Sequence, residues 1–206
     1  MTSPHAQPST TTYAILGLLR LRPWTTYELA KQVQRSLGWF WPRAERKLYD
    51  EPKKMVAAGL ADQRAEMTGA RPRTVYSVTA EGRRALRRWL DEAPVPPTLE
   101  FEGMIKVFFA DGGSLTQLRK TLQSIAETAE ARLAELDTKA AELARADTAF
   151  SDRAHLNALG LRFHVDNERS VAAWARWAIS QTAEWSSTTD PGSWDYRQAL
   201  VRQHKK

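Results

Sequence analysis

Between Pro42 and Ala58 the side chains able to do chemistry are cations at helical spacing. If Leu48 and Met55 point to a core, helical phase sends Arg43, Arg46, Lys47, Asp50, Lys53 and Lys54 to the opposite arc. Five of those six are cationic, whereas a merely solvated helix interleaves both signs. An α-helix fits the major groove of B-DNA with phosphates on both sides, so a reading helix needs one buried face and one cationic, hydrogen-bonding face. On this reading the cations near the groove edges neutralise phosphates, Arg46 or Lys47 donates to guanine O6 and N7, and the Tyr49 hydroxyl reaches a phosphate at the flank. Asp50 either accepts from a cytosine amine or pairs with a neighbouring lysine. A second basic cluster, Thr68-Gly69-Ala70-Arg71-Pro72-Arg73, lies between two stretches of β character. As a hairpin tip it places Arg71 and Arg73 over the adjacent minor groove, whose negative potential attracts arginine.

Other chemistries lack the residues to carry them. The absence of cysteine removes disulfides, thiol nucleophiles and cysteine-bound metals, and fits a reducing cytoplasm. No Gly-rich phosphate loop, Gly-x-Ser-x-Gly elbow or histidine pair at metal-ligand spacing is present. His155 and His164, nine residues apart, do not share a helix face cleanly and read as isolated exposed histidines. The chain is therefore read as a non-enzyme without cofactor or metal. Trp39, Trp41, Phe108, Phe109, Phe163, Trp174 and Trp177 read first as core aromatics. Of these, Phe163 and Trp174 are the candidates to line a site for a planar effector.

The elements that must position the cations follow from periodicity and caps. Thr12–Leu21 reads as a helix stopped by Arg22-Pro23. Thr25 or Thr26 caps a second helix with Leu29, Ala30, Val33 and Leu37 on one face, ended by Gly38. A third runs from the aromatic turn Trp39-Phe40-Trp41-Pro42 to about Ala58, with Gly59 beyond it. Pro52 inside it implies a kink or a late start. Leu60–Met67 and Thr74–Val78 change to β character and form the hairpin. Thr79 caps a fourth helix with Leu86, Trp89 and Leu90 inward and Arg83, Arg84, Arg87 and Arg88 outward. Helix-helix-helix-hairpin-helix is the order of a winged helix-turn-helix.

Past Ala93-Pro94-Val95-Pro96-Pro97 the pattern is helical: Leu99–Ala110, then a long helix opened by the capping box Ser114-Leu115-Thr116-Gln117. Its seam of Leu115, Leu118, Leu122, Ile125, Leu133 and Leu136 reads as the dimerisation surface, part of it buried against the final helix of the same chain. That helix, about Ser151–Trp185, offers Leu156, Leu159, Phe163, Val171, Trp174 and Ala178, with Asn167 either on its inner side, where it could fix register, or exposed. Ser186–Trp194 reads as a loose, turn-rich stretch.

The fold class is thus mainly α: an N-terminal winged helix-turn-helix plus a C-terminal α-helical dimerisation domain. The parts are a disordered lead-in 1–11, a DNA-binding domain 12–92, a linker 93–98, a helical domain 99–185 and a tail 186–206. Charge follows the same division. Residues 1–98 hold 16 Lys+Arg against 9 Asp+Glu, net +7, and the remainder holds 14 against 15, net −1, which together give the +6 of the 206-residue chain. A basic module joined to a near-neutral one suggests a polyanion binder with a second function attached. The early apolar run Tyr13–Leu19 is far short of the roughly 20 residues a membrane span needs, so no membrane partner is expected.

Several motifs then agree in order. Tyr13-Ala14-Ile15-Leu16-Gly17-Leu18-Leu19, Thr26-Tyr27-Glu28-Leu29, Lys47-Leu48-Tyr49, Ala58-Gly59-Leu60 and the run from Arg71 to Arg83 together resemble the PadR transcription regulators across residues 12–92. The long C-terminal helices are similar to those of the longer PadR subgroup. The resemblance implies a cytoplasmic homodimer, usually a repressor, that binds near-palindromic double-stranded DNA and in some members is released by a small molecule. Thr26 stands where the family commonly has a small residue, and Tyr49-Asp50-Glu51-Pro52 where it often has Tyr-Pro. The rival reading is a winged-helix module for protein contacts, which salt dependence of DNA binding separates from the first.

Overall fold

The computed structural model describes residues 8–41, 48–68, 71–145 and 151–201. Arg43, Arg46 and Lys47 lie outside them, and of Arg71 the backbone alone is described. The chain divides into two compact units, Met1–Pro97 and Thr98–Lys206.

In the first unit α1 spans Thr10–Leu21 and is opened by a reciprocal cap. The Ser9 hydroxyl accepts from the Thr12 amide at 3.2 Å, and the Thr12 hydroxyl accepts from the Ser9 amide at 3.0 Å. Thr11 and Thr12 are buried, so the ordered domain starts earlier than a lead-in ending at residue 11 allows. Ile15, Leu16 and Leu19 face the core. A two-residue strand, β1 (Trp24–Thr25), follows; the sequence reading gave Thr25 only a capping role. The Trp24 indole donates to the Leu18 carbonyl at 2.8 Å, fixing β1 against α1. α2 (Thr26–Ser36) starts from the Thr25/Glu28 capping box and buries Leu29 and Val33, while Leu37 is only half-buried at its C-cap.

The next helix among the described residues, α3, spans Glu51–Ala57. Pro52 has no amide hydrogen and fits its first turn, where that donor has no helical partner; the expected start of the segment at residues 42–47 lies outside the described residues. Leu48, in the preceding turn, is buried, as are Pro52 and Met55. Gly59 beyond the helix takes φ +70, the left-handed conformation that only glycine adopts without strain. β2 (Ala61–Thr68) and β3 (Arg71–Val78) pair antiparallel, with Glu66 opposite Arg73 and Arg64 opposite Val75. β1 adds to the other edge of β3, giving the order β1-β3-β2. α4 (Ala80–Leu90), capped by Thr79, buries Gly82, Ala85 and Leu86. Trp89 stacks on Tyr13 at 4.8 Å and 7°. Leu90, expected inward, is exposed at the last residue of the helix.

The second unit opens with α5 (Glu102–Phe108), shorter than the expected Leu99–Ala110, and a 3-10 turn at Ala110–Gly112. α6 (Leu115–Leu143) is opened by the Ser114/Gln117 box, and α7 (Ala154–Gln181) follows a 3-10 turn at Ser151–Arg153. α6 and α7 run antiparallel: Arg119 donates to the Thr182 carbonyl, Arg176 to Glu130 at 2.7 Å, and Arg132 to Glu168 at 3.4 Å. Leu118, Leu122, Ile125 and Leu136 are buried inside this hairpin, and the first three pack with Ala175 and Ala178. At those four positions the seam read as a surface between chains is already filled by the chain's own packing; Leu115 and Leu133 are half-buried.

On α7 the inner face also differs from the sequence reading. His164, Glu168, Ala172, Ala175 and Ala178 point inward, while Leu156, Leu159 and Phe163 are 48, 70 and 63% exposed. Small alanines let the two helices approach closely, and the large apolar residues are left outside. His164 is therefore buried rather than exposed, 3.4 Å from Glu168, and Asn167 is exposed, one of the two placements left open by the sequence. Nor is the segment after α7 loose. The Trp194 indole donates to Gln181 at 2.9 Å, its ring lies 5.3 Å from that of Trp185, and Thr188 donates to the Gly113 carbonyl at 3.2 Å. A last helix, α8 (Tyr196–Val201), follows.

Candidate nucleic-acid interface

Three elements of the first unit converge on one concavity of about 570 Å³. Thr26 and Tyr27 come from the start of α2, Tyr49 and Lys53 flank the start of α3, and Arg73 and Thr74 come from β3. The register explains the convergence: β1 pairs with β3 at Val75 and Tyr76, and α2 springs directly from β1, so the wing's base lies beside the N-terminus of α2. With Leu48 and Met55 anchored in the core, Tyr49, Lys53 and Lys54 are left exposed. Tyr49 and Lys53, four residues apart, share one flank of this segment and line the concavity with Arg73; Lys54 lies outside it.

Three acids near this surface, Glu28, Glu51 and Glu66, are tied up internally. Glu28 accepts from the Thr25 amide at 2.8 Å, the Thr25 hydroxyl at 2.8 Å and Arg22 at 3.1 Å. The Thr25 amide above all, opposed by partial burial and aided by the Thr25 hydroxyl and Arg22, holds its carboxyl below the usual carboxylate range. Glu51 is buried and accepts from the hydroxyls of Thr12 and Ser9. Glu66 lies between Arg64, at 2.6 Å, and Arg73, at 3.0 Å. Arg73 is thus held along the wing by an acid from the facing strand, which the sequence reading did not pair with it. Asp50 is exposed at the N-cap of α3, where its side chain makes no capping hydrogen bond.

Sequence reasoning also missed Tyr27 and Lys31 on α2. Tyr27 is exposed, and the Lys31 ammonium lies 5.1 Å over its ring. The available signal was their i,i+4 spacing on the side of α2 away from Leu29 and Val33. A tyrosine and a lysine there extend the hydrogen-bonding surface of Tyr49, Lys53 and Arg73 across a second helix. Arg22, stacked 3.5 Å from the Trp24 ring centre, belongs to the support of β1.

The two residues read as effector contacts are not brought together. Trp174 packs against the Leu118, Leu122 and Ala178 core and borders a cavity of about 600 Å³ with Trp177, Gln181 and Trp194. Phe163, eleven residues earlier on α7, does not line it.

Comparison with known proteins agrees with this architecture. Residues 15–88 match the model of the transcriptional regulator PadR-like family, and residues 102–182 match that of the virulence activator alpha C-terminal region. The negative transcriptional regulator PadR of Bacillus subtilis (strain 168) is 29% identical over 126 residues, 60% of this chain and 69% of that protein. The crystal structure of Bacillus subtilis PadR in complex with operator DNA superposes with a TM-score of 0.73 at 26% identity, over 84% of this chain and 98% of that one. The complex of the same protein with p-coumaric acid gives a TM-score of 0.68 at 25% identity, again over 84% and 98%. With a winged helix in one matched region and a two-helix hairpin in the other, the chain belongs to the PadR-like family of transcriptional regulators.

Proposed function

We propose that this protein is a cytoplasmic transcriptional repressor that binds a near-palindromic operator as a homodimer, catalyses no reaction, and is released by a small planar effector. The observation that carries the DNA reading is the meeting of Tyr49 from the turn before α3, Lys53 from α3, Tyr27 from α2 and Arg73 from the wing on one exposed surface where Glu28 and Glu66 are held by partners within the chain. Two copies related by a two-fold axis read two half-sites about one helical turn apart, which one winged helix cannot do. Arg43, Arg46, Lys47, Lys54 and Arg71 complete the cationic set. Among the described residues no helix is long and apolar enough to cross a membrane.

The effector reading rests on the aromatic cavity beside Trp174, where indole faces offer stacking to a planar molecule. The Bacillus subtilis relative, solved with p-coumaric acid, makes that acid the first probe to try.

The test is an anisotropy titration against the DNA upstream of the protein's own gene at several salt concentrations, with Arg46→Ala, Lys53→Ala and Arg73→Ala beside the wild type. Binding weakens as salt rises, and each lost phosphate contact lowers the log–log slope by about 0.9. Loss of Arg46 relaxes base preference; loss of Lys53 weakens all sequences alike. Affinity unaffected by these substitutions would turn the reading to a protein-contact module.

A further inference from the structure

From the walls of the cavity beside Trp174 we infer that its ligand is an organic cation: an aromatic molecule carrying an alkylated ammonium group. This rests on the effector reading above and names the chemical class that the same cavity takes.

One wall comes from α7. Trp174, Trp177 and Gln181 recur at steps of three and four, which sets them on one face of the helix. Trp174 is fixed from behind by the core of Leu118, Leu122 and Ala178, whereas Trp177 is 42% exposed, an indole with area to spare for a ligand. The other wall is Ser193, Trp194, Asp195, Gln198 and Ala199. It lies beyond residue 182, where the match to the family's C-terminal region ends, so its chemistry is read from this chain alone.

This second wall is built without a ligand. Asp190 accepts from the Ser186 hydroxyl at 2.5 Å and from the Gly192 amide at 3.1 Å, closing the Pro191-Gly192 turn, in which Gly192 takes φ +61. The Trp194 amide donates to the Pro191 carbonyl at 3.3 Å, and its indole donates to Gln181 Oε1 at 2.9 Å, which ties one wall to the other.

The charges of the lining decide what enters. Three indoles offer negative ring faces, and among the described residues Asp195 is the only charged side chain that lines the cavity, with no lysine or arginine. Its Oδ1 accepts from the Arg197 amide at 2.9 Å, which orients the carboxylate at the start of α8. The Arg197 guanidinium lies 5.0 Å over the Tyr196 ring, and neither residue lines the cavity. The Gln181 carboxamide is spent within the protein, on the Trp194 indole and, at 3.0 Å, on the Ser180 hydroxyl. A carboxylate ligand would therefore meet a like charge with no cation to offset it. An ammonium meets ring faces and one carboxylate, and alkylation suits it to walls that have few acceptors to give. At about 600 Å³ the cavity exceeds what an ammonium group alone would fill, so an attached ring adds stacking. Asp195 is exposed and its attraction is screened, so its share is a few-fold and the indoles supply the rest.

The experiment is calorimetric titration of the full chain at low salt, without DNA, using three probes that share a phenyl ring: benzyltrimethylammonium, neutral 3-phenylpropanol and 3-phenylpropanoate. Wild type, Asp195→Asn and Trp177→Leu are compared, with unchanged circular dichroism confirming that each variant folds; asparagine keeps an acceptor for the Arg197 amide. The cation binds wild type about 10-fold or more tighter than the carboxylate, with the alcohol between them. Asp195→Asn weakens the cation about 3-fold and strengthens the carboxylate, and Trp177→Leu weakens the cation about 5- to 10-fold. Carboxylate or alcohol binding as tightly as the cation would overturn the ligand class while leaving an effector cavity standing. A cation affinity that neither substitution lowers would overturn this cavity as its site. No binding of any probe to wild type would remove the effector reading of the cavity as well.

Discussion

The first turn of α1 fastens both flanks of the stretch that carries Arg43, Arg46 and Lys47. The Trp41 indole donates to the Thr11 hydroxyl at 3.1 Å, and on the far side Glu51 accepts from the Thr12 hydroxyl and, at 3.2 Å, from Ser9. Glu51 is 7% exposed, and both hydrogen bonds reach the same oxygen, Oε1. Thr12→Val keeps the shape and deletes one donor, leaving a buried carboxylate with a single hydroxyl for that oxygen. Stranding a buried charged acceptor costs about 1–3 kcal/mol, and a further ~0.5–1 kcal/mol goes with the capping bond that Thr12 returns to the Ser9 amide. Urea unfolding of wild type, Thr12→Val, Glu51→Leu and the double variant separates the two contributions, since the cap is lost equally in either background and leucine offers no acceptor. A coupling of about 1 kcal/mol or more is expected between the two sites. In the DNA titration, Thr12→Val lowers affinity for the preferred sequence more than for random duplex, because phosphate attraction survives a small shift of α3 while base contacts do not. Additivity within about 0.5 kcal/mol, or equal losses on both duplexes, would refute the account of Glu51 as the anchor of α3.

Other perturbations test separate parts of the structure. Glu66→Gln releases Arg73 and Arg64 from their shared acid and removes a negative charge from the wing, so DNA affinity rises several-fold at low salt, with the gain fading as salt is added; an unchanged or weaker affinity counts against the wing as a contact. His164 is held below its ordinary value near 6.5 chiefly by burial, with Glu168 opposing and Lys139 and Arg132 reinforcing the shift. Its unfolded form therefore binds the proton more readily, so α6–α7 loses stability as pH falls below about 6.5 and levels off beneath the folded value. Thermal unfolding from pH 7.5 to 5 measures this, and His164→Gln flattens the dependence. Gly82→Ala sets a Cβ 2.1 Å from the Leu60 carbonyl oxygen and 2.9 Å from Val78, which must push α4 off the sheet; a loss of about 3 kcal/mol or more is expected in denaturant unfolding.

The first unit was legible where local signals and tertiary packing agree. The Leu29/Val33 face and Gly59 as a C-terminal cap can be read from neighbouring residues and stand as read, as does the Ser114/Gln117 box of the second unit; of the two caps left open for α2, Thr25 is the one used, with Glu28 completing a box that was not read. β1 was not legible, because two residues carry no period; Trp24 and Thr25 are a strand only through pairing with Tyr76 and Val75, some fifty residues away. The same holds within the candidate site. Tyr49, Lys53 and Arg73 stood out by type and spacing, whereas Tyr27, with Lys31 over its ring, became part of a surface only when the wing and α3 were set beside α2.

The C-terminal helices show what periodicity leaves undetermined. Leu118, Leu122, Ile125 and Leu136 on α6, and Leu156, Leu159 and Phe163 on α7, are equally good helical stripes, and an apolar stripe says that something must cover it without saying which chain does. The choice was made by volume. α7 presents alanines at 172, 175 and 178 to α6, so the helices close tightly, and the leucines of α6 fill the space those small residues leave. With that contact made inside the chain, the bulky stripe of α7 has nowhere to turn but outward. His164 and Glu168 enter the interior beside it because they answer one another at 3.4 Å and Arg132 reaches in from α6, so that pairing rather than hydrophobicity admits them. A helix whose small residues face its own chain thus leaves a second apolar stripe, Leu156, Leu159 and Phe163, facing outward, and volume rather than hydrophobicity decides which of the two stripes the chain itself buries.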